Sequence, residues 1–251
     1  MARVRVLNPD PRPATAPAIE LSQRLLASAR AVEGRDACAE VTRLAGELHG
    51  VDPGAIDGDA ARIAFWLNLY NALIRHRLCL EPLSGNLLWH VRLFDRDAYR
   101  VGEHAHPLNV IENGLLRGNR RPPYRPRRAL RRSDPRLAAA PSHVDARIHF
   151  ALNCGARSCP PIRAYEPESL DAQLEFATKA YLTSEARFDP ERRRLRLPGL
   201  LRLYSADFGP RSARLELAAR HLPELRGWLE RGGGRLRVGY TRFDWTVTAG
   251  G

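Results

Sequence analysis

The stretch RIHFALNCGARSCPP, residues 147–161, places His149, Cys154 and Cys159 within eleven positions. These residue types support four arrangements. A cysteine attacks a carbonyl carbon as its thiolate, and an imidazole within hydrogen-bond reach takes the thiol proton and returns it to a leaving group. The same three side chains are zinc ligands, although a structural zinc site takes about four. Two cysteines across a turn can also close a disulfide, transient in a reducing compartment. The plainest arrangement is a core histidine bonded to backbone, with two packed thiols beside it.

Spacing constrains the first arrangement. Residues 146–153 read as a buried strand. In a straight strand the five residues from His149 to Cys154 cover about 16–17 Å, and an odd separation points the two side chains to opposite faces. A dyad therefore needs a sharp bend near Asn153, which Gly155 permits. Cys159 is the other thiol such a fold-back could return to the histidine. Cys154 is slightly favoured as nucleophile, because Gly155 lets backbone N–H groups gather beside it as an oxyanion hole.

The elements that must position these groups can be read from periodicity. Residues 1–17 carry four prolines and predict an irregular arm. Leu21, Leu25, Leu26 and Ala29 predict a helix over 19–32, and Asp36 opens a second through Val41, Leu44 and Leu48, so the two form a hairpin. The run 57–82 is apolar on nearly all sides and predicts a central helix. It carries Asn68 and Asn71 one turn apart, which either bond neighbouring backbone or line a site. Cys38 and Cys79 fall on helical apolar faces and read as inert core thiols. Residues 91–107 predict a β-hairpin turning at 95–97. Pro107 to Arg117 predict a short helix in which Glu112 sits beside the apolar stripe, by default exposed. A helix follows Pro167, then a hairpin around Asp189–Pro190, short helical pieces, and a terminal strand or strand pair. The order predicts an α+β fold, with a central buried helix and a small, mainly antiparallel sheet. Residues 1–50 read as an N-terminal arm and helical extension, and 51–251 as the main domain.

The 251 residues are 44% hydrophobic with a formal net charge of +12, and Lys179 is the only lysine. No apolar run is long enough to span a membrane, and no secretory signal is visible, so the chain reads as cytoplasmic unless a leader has been removed. The basic run 117–136 is proline-rich and reads as a solvated loop, which makes nucleic acid an unlikely partner.

Six stretches, AFWLNLYNAL (64–73), HPLNVIENGLLRG (106–118), DARIHFALNCGARSCPPIRAY (145–165), LDAQLEFATKAYL (170–182), LYSADFG (203–209) and YTRFDW (240–245), resemble the domain-of-unknown-function family 547. The resemblance spans roughly residues 55–246. It implies papain- or transglutaminase-like character and a Glu–His–Cys set for hydrolysis of small peptides. Carried over, the set is Glu112, His149 and one of Cys154 and Cys159, with Asn68 and Asn71 as the amides of the long helix. Many members have histidine after the glutamate, where this chain has Asn113.

The expectation is a cysteine-dependent hydrolase or acyl-transferase acting on an amide or isopeptide bond of a small peptide, with no cofactor or metal. Cys154 or Cys159 would attack, His149 would move the proton, Glu112 would orient His149, and Asn68 or Asn71 would bind substrate. The arginine excess favours substrates bearing carboxylates. The alternative is a non-catalytic binding module, or a zinc- or redox-linked protein, recruiting an acidic partner. Sequence leaves the oligomeric state open.

Overall fold

A computed structural model describes residues 4–31 and 35–248. The first three residues of the predicted arm and the predicted helix end at Val32 lie outside them. Helices α1 (Ala18–Arg30) and α2 (Arg35–Ala45) form the expected hairpin, and α3 (Asp59–Leu80) is the expected central helix. Because α3 is apolar all round, it needs cover on every side. Leu21, Leu25, Leu26 and Ala29 of α1, all buried, supply one side. Each fully buried large apolar side chain contributes roughly 1.5–3 kcal/mol. Trp66 is fully buried and donates its indole N–H to the Ala139 carbonyl at 2.9 Å.

Cys38 of α2 and Cys79 of α3 are not separate core thiols. They form a disulfide whose Cα atoms lie 6.0 Å apart. Their separation of 41 positions gave no local sign of the pairing.

The arm is also more ordered than its prolines suggest. Strand β1 (Arg5–Val6) pairs in parallel with β2 (Asp97–Val101), which turns back antiparallel into β3 (His104–Pro107). The Asn8 side chain locks the junction, donating to the carbonyls of Ala45 and Arg100 and accepting the Arg100 N–H at 2.8 Å. The hairpin turns at Gly102, which adopts left-handed backbone (φ 56°), and not at 95–97. Residues 93–96 form the short helix α4 (Leu93–Arg96).

Beyond the site segments, α5 (Leu170–Glu185) leads into β4 (Arg187–Asp189) and β5 (Arg194–Leu197), the expected hairpin. Then come α6 (Gly199–Leu203), α7 (Ser205–Phe208), α8 (Arg211–His221) and α9 (Pro223–Glu230), and β6 (Arg237–Tyr240) closes a second sheet parallel to β5. Two small three-stranded sheets among many helices make the fold α+β. Each sheet mixes one parallel and one antiparallel pairing, where a single mainly antiparallel sheet was expected. The main core runs from Leu7 to Leu174, so the N-terminal fifty residues share it with the rest of the chain.

Candidate active site

Glu112 lies on an unusual element. Val110–Leu116 is a π-helix, and the Arg117 N–H reaches back five residues to the Glu112 carbonyl at 2.9 Å. Such wide turns are rare and recur at functional sites. Gly114 lets Leu130 approach to where a Cβ would stand 3.0 Å from it, and Gly118 and Asn119, both at φ 56°, end the turn. All seven residues are buried, so Glu112 is not the exposed helical glutamate that α-helical spacing suggests. Its carboxylate accepts hydrogen bonds from the Tyr70 hydroxyl of α3 at 3.2 Å and the Tyr204 hydroxyl at 2.6 Å.

His149 does not sit on a strand. Ala146–Phe150 is a 3-10 helix, started by Asp145, whose carboxylate accepts the Arg147 N–H at 2.9 Å. A short apolar run looks the same in either state. The spacing of a straight strand therefore does not apply to His149, whose turn rises only about 2 Å per residue. The imidazole stacks on Tyr204 with ring centroids 3.7 Å apart.

The group behind His149 is Asp207, on α7, and not Glu112. His149 Nε2 lies 2.8 Å from Asp207 Oδ2. Arg117 Nε reaches the same oxygen at 2.5 Å, and Arg120 Nη1 reaches Oδ1 at 2.9 Å. Burial alone would push the Asp207 carboxyl up. The hydrogen bonds from His149, Arg117 and Arg120 outweigh it and hold the group well below the usual carboxylate range. Arg117 is buried and also donates to Asn113 Oδ1 at 2.5 Å, so the basic run 117–136 is not simply a solvated loop. Burial is the largest influence on His149. It lowers the pKa below the ordinary histidine value, although the Asp207 hydrogen bond and the Glu112 charge pull the other way. The ring is neutral at neutral pH. Among the described residues its Nδ1 makes no hydrogen bond, which leaves that nitrogen available for chemistry.

The chain bends at Gly155, in left-handed backbone at φ 89°, as the sequence requires for a fold-back. The bend brings Cys154 Sγ and Cys159 Sγ to 2.9 Å. The Cys154 N–H also points at Cys159 Sγ, 3.1 Å away. The shared sulfur contact pushes the Cys154 thiol well up, and burial adds to it. Burial pushes Cys159 up too, but the Cys154 thiol and the N–H groups of Cys154 and Ala156 hold it below the ordinary thiol value. Cys159 is thus the readier thiolate. The oxyanion hole expected at Gly155 is not free, since the Gly155 N–H is taken by Asn153 Oδ1 at 2.7 Å.

Asn68 and Asn71 bind backbone and do not line the site. Asn68 donates to the Tyr165 carbonyl at 2.9 Å and accepts the Tyr165 N–H at 2.9 Å. Asn71 donates to the Ala151 carbonyl at 3.0 Å and accepts the Asn153 N–H at 3.0 Å. They clamp α3 to the chain on both sides of the thiol loop. From the other side, residues 244–248 hold that loop: Arg157 N–H donates to the Thr246 carbonyl at 2.8 Å, and Thr248 N–H to the Gly155 carbonyl at 3.1 Å.

Glu112, His149, Cys154 and Cys159 open onto one cavity of about 260 Å³, with Tyr70 and Tyr204 in the same wall. Among the described residues no group of three or more His, Cys, Asp and Glu could hold a metal ion. Sequence reasoning missed Asp207, Tyr70, Tyr204 and the buried Arg117. The available signal was the single acid in LYSADFG, a stretch read for its resemblance and not for its chemistry.

No curated protein and no solved structure matches the chain. The family model described as "Protein of unknown function, DUF547" matches residues 56–182, half of the chain. That stretch carries Glu112, His149 and both loop cysteines, while Asp207 and Tyr204 lie beyond it. The chain belongs to the DUF547 family.

Proposed function

We propose that the chain is a cysteine-dependent acyl hydrolase or acyl-transferase acting on an amide or related acyl bond. One observation carries the reading: a thiol pair, an Asp-bound neutral imidazole and a buried carboxylate open on the same cavity. Cys159 attacks the acyl carbon and forms a carbon–sulfur bond. His149 Nδ1 takes the thiol proton and passes it to the leaving nitrogen or oxygen as that bond breaks. Water, or an acceptor amine, then attacks the acyl-enzyme, gives its proton to His149, and releases the acyl product and the thiol. Asp207 fixes the imidazole tautomer, as a buried carboxylate does in hydrolytic triads. Glu112 faces the imidazolium that forms in each step and stabilises it.

The test compares Cys159→Ser and Cys154→Ser for turnover of a chromogenic amide and an activated ester, with mass spectrometry of the trapped acyl adduct. Cys159→Ser should lose turnover by at least about a thousandfold and form no thioester adduct, while Cys154→Ser should still form the adduct on Cys159. Wild-type turnover in both variants would sink the proposal.

The 2.9 Å between sulfurs favours a second reading, a reversible Cys154–Cys159 disulfide. A loss of two mass units on oxidation, reversed by dithiothreitol, would support it, and inertness to mild oxidant would remove it. The Cys38–Cys79 disulfide favours an oxidising compartment over the cytoplasm. In such a compartment the active-site pair would need a reductant before each burst of activity.

A further inference from the structure

The cavity that receives the reacting groups has a composition unlike the rest of the chain. Forty residues are lysine or arginine, yet none of them lines it. The polar residues of its lining are Glu112, His149, the two cysteines and three tyrosines, two of which spend their hydroxyls on Glu112. The remaining walls are aliphatic and aromatic, among them Val91, Phe94, Leu200, Leu203 and Trp245. Arg117, over the Tyr204 ring, and Arg120 are both engaged by Asp207, and Arg125, over the Tyr124 ring, is engaged by Asp95. A substrate carboxylate inside the cavity would meet Glu112 and no cation, so the arginine-rich composition does not extend to the group bound here.

The mouth can be located. Leu88 lines the cavity and is also 52% exposed, and its neighbour Trp89 is 79% exposed. Both belong to a short helical turn, Leu87–His90. Trp89 lies over Gly85, which is held at φ 77° and where a Cβ would meet the indole at 2.8 Å. An apolar lip thus borders an apolar cavity. Scattered exposed apolar residues need no explanation, but ones continuous with a reactive cavity mark a route for an apolar ligand.

Resting on the thiol acyl-transfer reading above, we infer that the acyl group this site accepts is an aliphatic chain of about eight carbons. At roughly 30 Å³ per non-hydrogen group, the share of one water in the liquid, the 260 Å³ cavity holds about eight or nine of them. The acyl carbon lies at Cys159 and the chain runs toward Leu88. Cys159 forms the thioester, the bond to the leaving group breaks, and His149 hands the leaving group its proton. Water then supplies hydroxide to the acyl carbon and a proton to the thiol, which releases the free fatty acid.

The full chain is assayed with p-nitrophenyl acetate, butyrate, octanoate and hexadecanoate. kcat/KM should rise about fourfold per methylene up to octanoate and fall at hexadecanoate, whose chain exceeds the cavity. Leu203→Trp should move the optimum to a shorter ester. Binding is measured separately by calorimetry on Cys159→Ser, with octanamide expected to bind on the order of a hundredfold more tightly than butanamide. If octanamide binds so but wild type turns over none of the esters, the thiol reading falls and the apolar site stands. If acetate is turned over as well as octanoate and octanamide binds no better than butanamide, the inference is overturned while the thiol reading survives.

Discussion

The residue that decides the chemistry of His149 is Asp207, which holds the ring at Nε2 and is held in turn by two arginines. In the proposed mechanism a neutral imidazole is the base, so activity should fall as the pH drops below the ordinary histidine value of about 6.5 and the ring protonates. Burial sets the limb on the acid side of that value. The Asp207 hydrogen bond raises the histidine pKa, so Asp207→Asn should move the limb of kcat/KM further to acid and also lower kcat by on the order of a hundredfold or more. A pH-rate profile of both proteins checks it. A limb that stays in place would mean that Asp207 does not act through His149. Asp207→Asn also leaves buried Arg117 without its carboxylate, a loss of about 3–5 kcal/mol in stability. The profile should therefore be taken well below the variant's melting temperature.

At the scale of elements, α3 supplies the frame against which the site is registered. Asn71→Ala would strand the Ala151 carbonyl and the Asn153 N–H, both buried, at about 1–3 kcal/mol each. The expected result is a melting temperature lowered by several degrees, together with faster alkylation of Cys154 and Cys159 by iodoacetamide as their loop loosens. Slower or unchanged labelling would show that Asn71 does not hold the loop. The two asparagines were legible as a pair that must be satisfied, and so was the bend at Gly155. The partners were not legible, because Ala151, Asn153 and Tyr165 offer only backbone atoms, which every residue has. The long amphipathic and apolar helices were legible because periodicity over many turns averages out local ambiguity. The elements that carry chemistry are the short or irregular ones. Five residues of 3-10 helix mimic a strand, and seven of π-helix mimic an α-helix whose glutamate faces out. The partners of Asp207 were illegible for a related reason. Its four-residue helix is too short to have a face, and its partners lie 58 and 90 positions away.

For the whole molecule, the disulfide and the buried histidines set the conditions under which the fold persists. Closing a 41-residue separation should add about 4 kcal/mol through the unfolded chain. Dithiothreitol should therefore lower the melting temperature, and Cys38→Ser with Cys79→Ser should abolish that sensitivity. A melting curve indifferent to reductant would contradict the pairing. His76 joins Thr42 of α2 to Tyr99 of β2, and burial lowers its pKa to about 4. His106, buried against Trp66, is lowered to about 3, mainly by burial. Both stay neutral in the fold while the unfolded chain takes up protons below about pH 6.5. These two alone bind up to two more protons on unfolding, and stability should fall steadily from pH 6.5 toward 4. Denaturant titrations across that window should show the slope, and His76→Gln should remove part of it. No helix among the described residues is long and apolar enough to cross a membrane.

The strap of residues 244–248 across the thiol loop has a consequence in time. Phe243 and Trp245 are walls of the cavity, and Thr246 and Thr248 hold the backbone between the two cysteines. During synthesis these residues leave the ribosome about ninety positions after Cys154, at roughly 5–20 residues per second. For those several seconds the nascent chain already carries its reactive cysteines with no cavity around them. Only the arrival of the strap encloses them, so the proposed chemistry has to wait for residues 244–248 to emerge.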